Sequence, residues 1–316
     1  MSLRFISRLA KGFVQGSLRL LPGRRGLFAR RWLAWEFLRG QVETVDFDRN
    51  GFRWSVFTND IVGRGLFLHG EFQLDGLPEL LTWCSQNVPH WETRTATINV
   101  GANIGATCLP LAKASGLKCL AVEPVPATFA MLERNVLLNA GKANVECRQA
   151  AVASVAGTVE MIAPRDSGHS EVKTATGEQG FSETYSAEDC TVAQVPAIPL
   201  DQLVTAAGLR PEQIGLVWSD TQGFESEVLA SGKSLWKTGT PAWVEVWPRG
   251  LEMHGGVEHF LTQCRENFRQ FILDDQFIAG GKIQPQPIDD LTQIIRDLQK
   301  RGGSGGREDH DVLLVP

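Results

Sequence analysis

The apolar run around Thr97-Ile98-Asn99-Val100 enters Gly101-Ala102-Asn103-Ile104-Gly105-Ala106, and the next apolar run, Leu117 to Val122, stops at Glu123-Pro124. No other feature of the chain limits its fold so closely. Two glycines let a buried strand turn sharply near a ligand, and a helix can open behind them. In open α/β sheets ligands sit outside the carboxyl ends of the strands, where an acid after the second strand can accept hydrogen bonds from both hydroxyls of a ribose. The spacing then selects among nucleotides. A dinucleotide loop, G-x-G-x-x-G, lacks its middle glycine here, and no Gly-Lys-Ser/Thr follows to form a phosphate loop. A nicotinamide-dependent oxidoreductase is therefore disfavoured. S-adenosylmethionine carries no phosphate and suits this looser turn; the plain alternative is a tight βα turn without a ligand.

The same alternation continues along the chain. Apolar runs at Ala96 to Val100, Lys118 to Val122, Val145 to Gln149, Ile214 to Ser219, Trp243 to Trp247, Phe268 to Leu273 and Val312 to Val315 read as strands. Ile104 to Ser115, Ala127 to Asn139, Leu200 to Ala207, Glu225 to Leu235 and Val257 to Asn267 read as helices between them. Strand and helix in turn predict a doubly wound α/β sheet. Val42 to Phe57, alternating around Asn50-Gly51, reads as a hairpin. Residues 1–75 form an extension and residues 76–316 the catalytic domain, interrupted by a polar insertion at 157–198 that is expected to face the substrate as a flap. Arg301 to Arg307 reads as a flexible link.

Charge is unevenly placed. Residues 1–40 hold nine basic side chains against one acid, Glu36, which leaves 22 bases against 35 acids for the rest. Leu3, Phe5, Ile6, Leu9 and Phe13 interleave with these bases at helical spacing, so the extension suits an anionic membrane surface or an acidic polymer, or else packs on the acidic body of its own chain. Its arginine-rich start also imitates a transit peptide. No apolar run reaches the roughly 20 residues needed to span a bilayer. Cys84, Cys108, Cys119, Cys147, Cys190 and Cys264 show no C-x-x-C spacing and read as small core residues in a reducing, cytoplasmic setting.

With these pieces in order, residues 95 to 275 resemble the FkbM family of S-adenosylmethionine-dependent O-methyltransferases. Asn99-Val100-Gly101-Ala102-Asn103-Ile104-Gly105 is similar to the family's Asp-Val-Gly-Ala-Asn-Ile-Gly, and Glu123-Pro124 to its Glu-Pro. Asn135 and Asn139, Ala150-Ala151-Val152 with Gly157, and Leu200-Asp201-Gln202-Leu203 fit further blocks. Ser219-Asp220-Thr221-Gln222-Gly223-Phe224-Glu225 is similar to Lys-Ile-Asp-Val-Glu-Gly-Ala-Glu in its acid, glycine and acid. The resemblance implies the class I methyltransferase fold, a Rossmann-like sheet of seven strands with the last antiparallel. It also implies transfer of a methyl group to a hydroxyl of a sugar, glycan, glycolipid or secondary metabolite. Asn99, Gly101, Ala102, Asn103, Gly105, Glu123, Pro124, Ala150 and Ala151 become the cofactor-binding candidates. Asn99 and Gln222 depart from the family's acids, which keeps a non-catalytic cofactor-binding or scaffolding protein in view.

Methyl transfer to oxygen needs a base. Asp220 ends an apolar strand and is the first candidate, with capping of the helix near Gly223 as its plain role. Glu225, in the first turn of that helix, reads more simply as a partner of the helix dipole. Glu245 lies inside an otherwise apolar strand, where a charge is costly unless it is paired or faces a wet cleft. His169 in the insertion is the third candidate, and a solvated loop histidine its plain reading. Trp218, Trp243 and Trp247 either pack the core or stack on sugar rings. No metal and no nucleic-acid partner is expected.

Overall fold

The computed structural model describes residues 23–72, 74–164, 167–173, 190–302 and 308–316. The chain divides into two compact units between residues 72 and 73.

In the N-terminal unit, a helix Gly23–Leu38 precedes strands β1 (Thr44–Arg49) and β2 (Phe52–Phe57) and a helix Ile61–Leu68. Asn50 and Gly51 both take positive φ, 48° and 81°, as a two-residue hairpin turn of this type requires. The hairpin is antiparallel from Thr44 against Phe57 to Arg49 against Phe52, as its alternation predicts. Asp60 caps the second helix, accepting from the amides of Val62 and Gly63.

The second unit is built on an eight-stranded sheet. Its strands are β3 (Ala96–Val100), β4 (Lys118–Val122), β5 (Val145–Arg148), β10 (Ile214–Ser219), β11 (Ala242–Val246), β12 (Gln270–Leu273), β13 (Gln286–Pro287) and β14 (His310–Val315). They run in the order β13-β12-β14-β11-β10-β3-β4-β5. β5, β4, β3, β10 and β11 are mutually parallel, and β14 enters antiparallel between β11 and β12. This is the seven-stranded class I methyltransferase sheet with one short strand, β13, added at the edge. Ile98, Val122, Val217, Val244 and Leu314, buried to 0% exposure, form its core together with Phe260, Leu291 and Ile295 from helices Val257–Asn267 and Leu291–Gly302.

Three local readings need correction. The first helix of the sheet domain spans Cys108–Ser115 and not Ile104 to Ser115, because Asn103 and Gly105 sit at φ 50° and 98° and keep 101–107 in a turn. The helix expected over Glu225 to Leu235 is two helices, Glu225–Ser231 and Lys233–Lys237. They break at Gly232, where a Cβ would meet the Trp236 ring at 2.5 Å. The described residues of the insertion are largely sheet: its strands β7 (Gly157–Pro164), β8 (Glu171–Val172) and β9 (Cys190–Ile198) join β6 (Ala151–Val152) in the order β6-β9-β7-β8. Val159, Met161 and Ala163 on β7 pack with Val195 and Ala193 on β9, a period of two that the small residues hide in the sequence. Helices Leu77–Asn87 and Leu291–Gly302 were not read from the sequence. Of the expected link, Arg301 and Gly302 end the latter helix, and 303–307 lie outside the described residues.

Candidate active site

The glycine loop closes on the neighbouring strand ends. The amides of Gly101 and Ala102 both donate to the Val122 carbonyl, at 3.0 and 2.9 Å. Gly101 has φ +76°, and a Cβ there would stand 1.8 Å from the Asp220 carbonyl oxygen. Only glycine lets the β3 turn lie this close to the end of β10. Asn103, also left-handed, sends its amide nitrogen to Glu123 Oε2 at 3.0 Å, while the Val125 amide donates to Glu123 Oε1 at 2.9 Å. Glu123 is thus buried and held by backbone on both oxygens. Burial pushes its carboxyl up to about 7 against the pull of those two amides, and nearby Asp220 pushes in the same direction.

A second group of acids stands at the ends of β10 and β11. Asp220 is half-buried and Glu245 buried. One nitrogen joins them: Gln222 Nε2 donates to Asp220 Oδ1 at 2.8 Å and to Glu245 Oε2 at 3.3 Å. Gln222 holds this place at φ 56°, a conformation that costs a side chain with a Cβ about 1 kcal/mol. Burial raises the pKa of Asp220, the Gln222 amide opposes this, and Asp309 adds to it. Glu245 is raised well above its ordinary range, by burial first and then by Asp220, Glu225, Asp311 and Asp309. Asp311 lies directly across from it on β14. Every charged group named here is an acid.

Glu225 has a structural task. Its Oε1 accepts from the amide and hydroxyl of Thr221 at 2.7 and 2.8 Å, and its Oε2 accepts from the Gly223 amide at 2.9 Å. Capping of this turn therefore falls to Glu225 and not to Asp220. Burial lifts its carboxyl to about 7, against the Thr221 hydrogen bonds. Gly223 completes the fit, since a Cβ on it would meet the Gly250 carbonyl carbon at 2.3 Å. Although Asp220, Glu225 and Glu245 influence one another, no group of three His, Cys, Asp or Glu among the described residues could hold a metal ion.

Other expected residues fall elsewhere. Ala150 packs in the main core and Ala151 in the core of the smaller sheet, while Pro124 is partly exposed beside Glu123. Asn99 is buried on β3; its Nδ2 donates to the Trp218 carbonyl at 3.4 Å and its Oδ1 has no hydrogen-bond partner. His169 ends a short 3-10 turn, Ser167–His169, and its side chain lies outside the described residues. That turn does reach the glycine loop: Asn103 Nδ2 donates to the Ser167 carbonyl and Ser167 Oγ donates to Asn103 Oδ1, both at 2.9 Å. Trp218 and Trp243 stack at 4.9 Å in the core, and Trp247 is buried.

Sequence reasoning passed over His254. It is buried edge-on to Phe224 at 5.3 Å, its Nε2 lacks a hydrogen-bond partner, and burial lowers its pKa against the opposing pull of Glu227. Only its position before Gly255-Gly256 marks it in the sequence.

S-adenosylmethionine fits this arrangement. The loop offers a buried carboxylate beside backbone that glycine keeps clear, and the acids around it suit a cationic sulfur, whereas a pyrophosphate would be repelled. Gly101, Ala102, Asn103 and Glu123 are the residues that could hold its adenosyl part.

Comparison with known proteins agrees. Residues 99–269, just over half of the chain, match the methyltransferase FkbM domain. No protein of curated function matches in sequence. Among solved structures, Pyrococcus horikoshii TYW2 in complex with MeSAdo aligns at 12% identity and TM-score 0.39, over 86% of this chain and 70% of that one. M. jannaschii TYW2 in complex with AdoMet aligns at 12% and 0.39, over 87% and 86%. A predicted O-methyltransferase from Agrobacterium tumefaciens aligns at 10% and 0.36, over 74% and 79%. Scores this low do not define a fold; the strand order does. The chain belongs to the FkbM methyltransferase family, and its cofactor is S-adenosylmethionine.

Proposed function

We propose that the protein methylates a hydroxyl of a carbohydrate, glycolipid or related metabolite, with Asp220 and Glu245 as the groups that orient the hydroxyl and take its proton. The observation that carries this reading is the carboxylate pair joined by Gln222, set beside the loop that fits the cofactor. S-adenosylmethionine, when bound, supplies a methyl group on a positively charged sulfur. The chain's part is to hold the hydroxyl and receive its proton as the new C–O bond forms. A carboxylate raised above its ordinary range is a better base than a free one, and Asp220 is the more open of the two. Glu245, buried and raised well above the ordinary carboxylate range, is suited to keep a proton and to donate it in a hydrogen bond. Gln222 fixes one oxygen of each. Positioning of this kind supplies much of the rate in an in-line displacement.

The surroundings favour a neutral acceptor. Asp220, Glu225, Glu245, Asp309 and Asp311 would repel a phosphate backbone, so a nucleic-acid acceptor fits poorly. A groove of about 310 Å³, floored by Trp247, Pro248 and Leu298 and edged by Arg249, Glu252, Gln299 and Glu308, opens two residues beyond Glu245. Its apolar floor and polar rim suit a sugar ring. No helix among the described residues is long and apolar enough to cross a membrane. The basic N-terminal stretch is read as a peripheral contact with a membrane surface.

The test is direct. Purified protein is incubated with methyl-labelled S-adenosylmethionine and with separated glycan, lipid, nucleic-acid and protein fractions of its host. Label is expected in the glycan or lipid fraction, as a methyl ether by mass. Label in nucleic acid or protein, or on nitrogen, refutes the proposal.

A further inference from the structure

The helix Gly23–Leu38 is apolar on two sides but buries only one of them. Trp35 is buried with its ring 5.4 Å from Phe67, and Arg31 Nη1 donates to the Leu68 carbonyl at 3.1 Å, so these residues, four apart, seat the helix on its own unit. Turned roughly half-way round the helix from them are Leu33 and Phe37, also four apart. Both are exposed, Phe37 to 68%, and Trp32, one residue before Leu33, is exposed as well. Monomeric proteins seldom leave a contiguous apolar surface of this kind uncovered. Residues 23–39 carry Arg24, Arg25, Arg30, Arg31 and Arg39 against one acid, Glu36, and residues 1–22 add four bases and no acid.

We infer that this outward face of the helix docks on an anionic lipid bilayer. Leu33 and Phe37 enter the boundary between headgroups and acyl chains, Trp32 lies at the headgroup level, and the arginines meet anionic headgroups. Charge complementarity and the exposed apolar pair together favour this occupant; docking on the acidic remainder of the same chain would leave the protein unbound to anionic vesicles in the test below. A second copy of the helix would bring like charges together, and an apolar protein groove would leave the arginines unanswered. A nucleic acid would answer the arginines but leave Leu33 and Phe37 in water. Docking there would bring the protein to acceptors that are themselves held in a membrane. The inference extends the peripheral contact proposed above. It is separable from methyl transfer, because its assay contains neither methyl donor nor acceptor.

The full chain is sedimented with vesicles of phosphatidylcholine mixed with phosphatidylglycerol, and with phosphatidylcholine alone. Binding to the mixed vesicles is expected to be at least about tenfold stronger and to weaken with salt. Leu33→Ser combined with Phe37→Ser, on an exposed face, should lower it about tenfold or more with an unchanged circular dichroism spectrum. Arg25→Gln combined with Arg30→Gln, Arg30 being three residues before Leu33 on the exposed face, should reduce the preference for anionic vesicles and leave the apolar contribution in place. Equal binding to both vesicles, no binding to the anionic ones, or displacement from them by a DNA duplex at matched charge overturns the inference. So does anionic binding that both double variants leave unchanged.

Discussion

Glu123 and the pair Asp220/Glu245 are acids near one another at one end of the same sheet, yet their lone pairs are committed differently. Glu123 gives one oxygen to each of two backbone amides. Asp220 and Glu245 each give one oxygen to the side chain of Gln222. Backbone donors cannot move away without undoing the loop, so the first carboxylate is a fixed acceptor, suited to holding a ligand's hydroxyls. The second pair is fixed through a single amide and keeps an oxygen each for a partner that arrives and leaves. Under the proposed function, binding and proton transfer would fall to different carboxylates according to the kind of donor that holds each.

The largest effect should come from the pair. Asp220→Asn removes the capacity to take a proton while keeping shape, and Glu245→Gln removes the acid that orients the hydroxyl beside it; general-base loss costs about 10²–10⁴-fold in rate. We expect kcat to fall by that order in Asp220→Asn while calorimetric binding of S-adenosylmethionine changes by less than about threefold. Normal turnover in both variants, followed by release of S-adenosylhomocysteine, would falsify the division of labour.

Glu123→Gln should show the converse. Losing a charge-assisted acceptor of ribose hydroxyls costs about 1.5–3 kcal/mol, roughly a ten- to hundredfold loss of cofactor affinity. In the wild type the ionised carboxylate is the better acceptor, and its pKa is about 7. Affinity should therefore weaken as pH falls through 7, and Glu123→Gln should flatten that dependence. Stability carries the opposite sign. An acid whose pKa rises on folding from 4.5 to about 7 binds protons in the native state first, so Tm should fall as pH rises across that window. The slope should be shallower in Glu123→Gln. A pH-independent affinity in the wild type breaks the assignment of Glu123 as the binding carboxylate.

Gln222→Leu tests the bridge itself. Without the shared amide, Asp220 and Glu245 lose the donor that favours their ionised forms, and both should titrate higher. The acidic limb of the kcat profile is expected to move to higher pH, with kcat at its plateau reduced by about tenfold and KM for the cofactor little changed. An unmoved limb would mean that Gln222 only fills space.

How much of this was legible beforehand follows from where the determinants lie. The strand ends, Gly101 and Glu123 were readable because a glycine turn and an acid after an apolar run are local signals, and the seven main strands follow from short apolar runs. The joining of Asp220 to Glu245 was not. It depends on β10 and β11 being neighbours, with Ser219 beside Val244, and on an amide reaching both acids from a left-handed turn. Gln222 could be noticed in the sequence only as a departure from an expected acid. The strands within the insertion went unread for a related reason: the core of its sheet includes Ala163, Ala193 and Met161, whose alternation is weak in hydrophobicity and clear only once β7 and β9 pair.

Asn99 provides the smallest and most discriminating comparison between the two regions, because it lies in β3 just before the glycine loop and touches neither group of acids directly. Its Oδ1 is buried without a partner, and its one donated bond, to the Trp218 carbonyl, is long at 3.4 Å. Restoring the family's acid by Asn99→Asp forfeits that weak bond and sets a carboxylate oxygen against a carbonyl, which should lower stability by about 1–2 kcal/mol. If the acid serves the cationic cofactor, calorimetry should show affinity rising by a few-fold despite that loss, with the pH dependence due to Glu123 retained. If affinity falls together with Tm, the amide is the residue that this strand has been packed to hold, and cofactor binding rests on Glu123 and the glycine loop without help from β3.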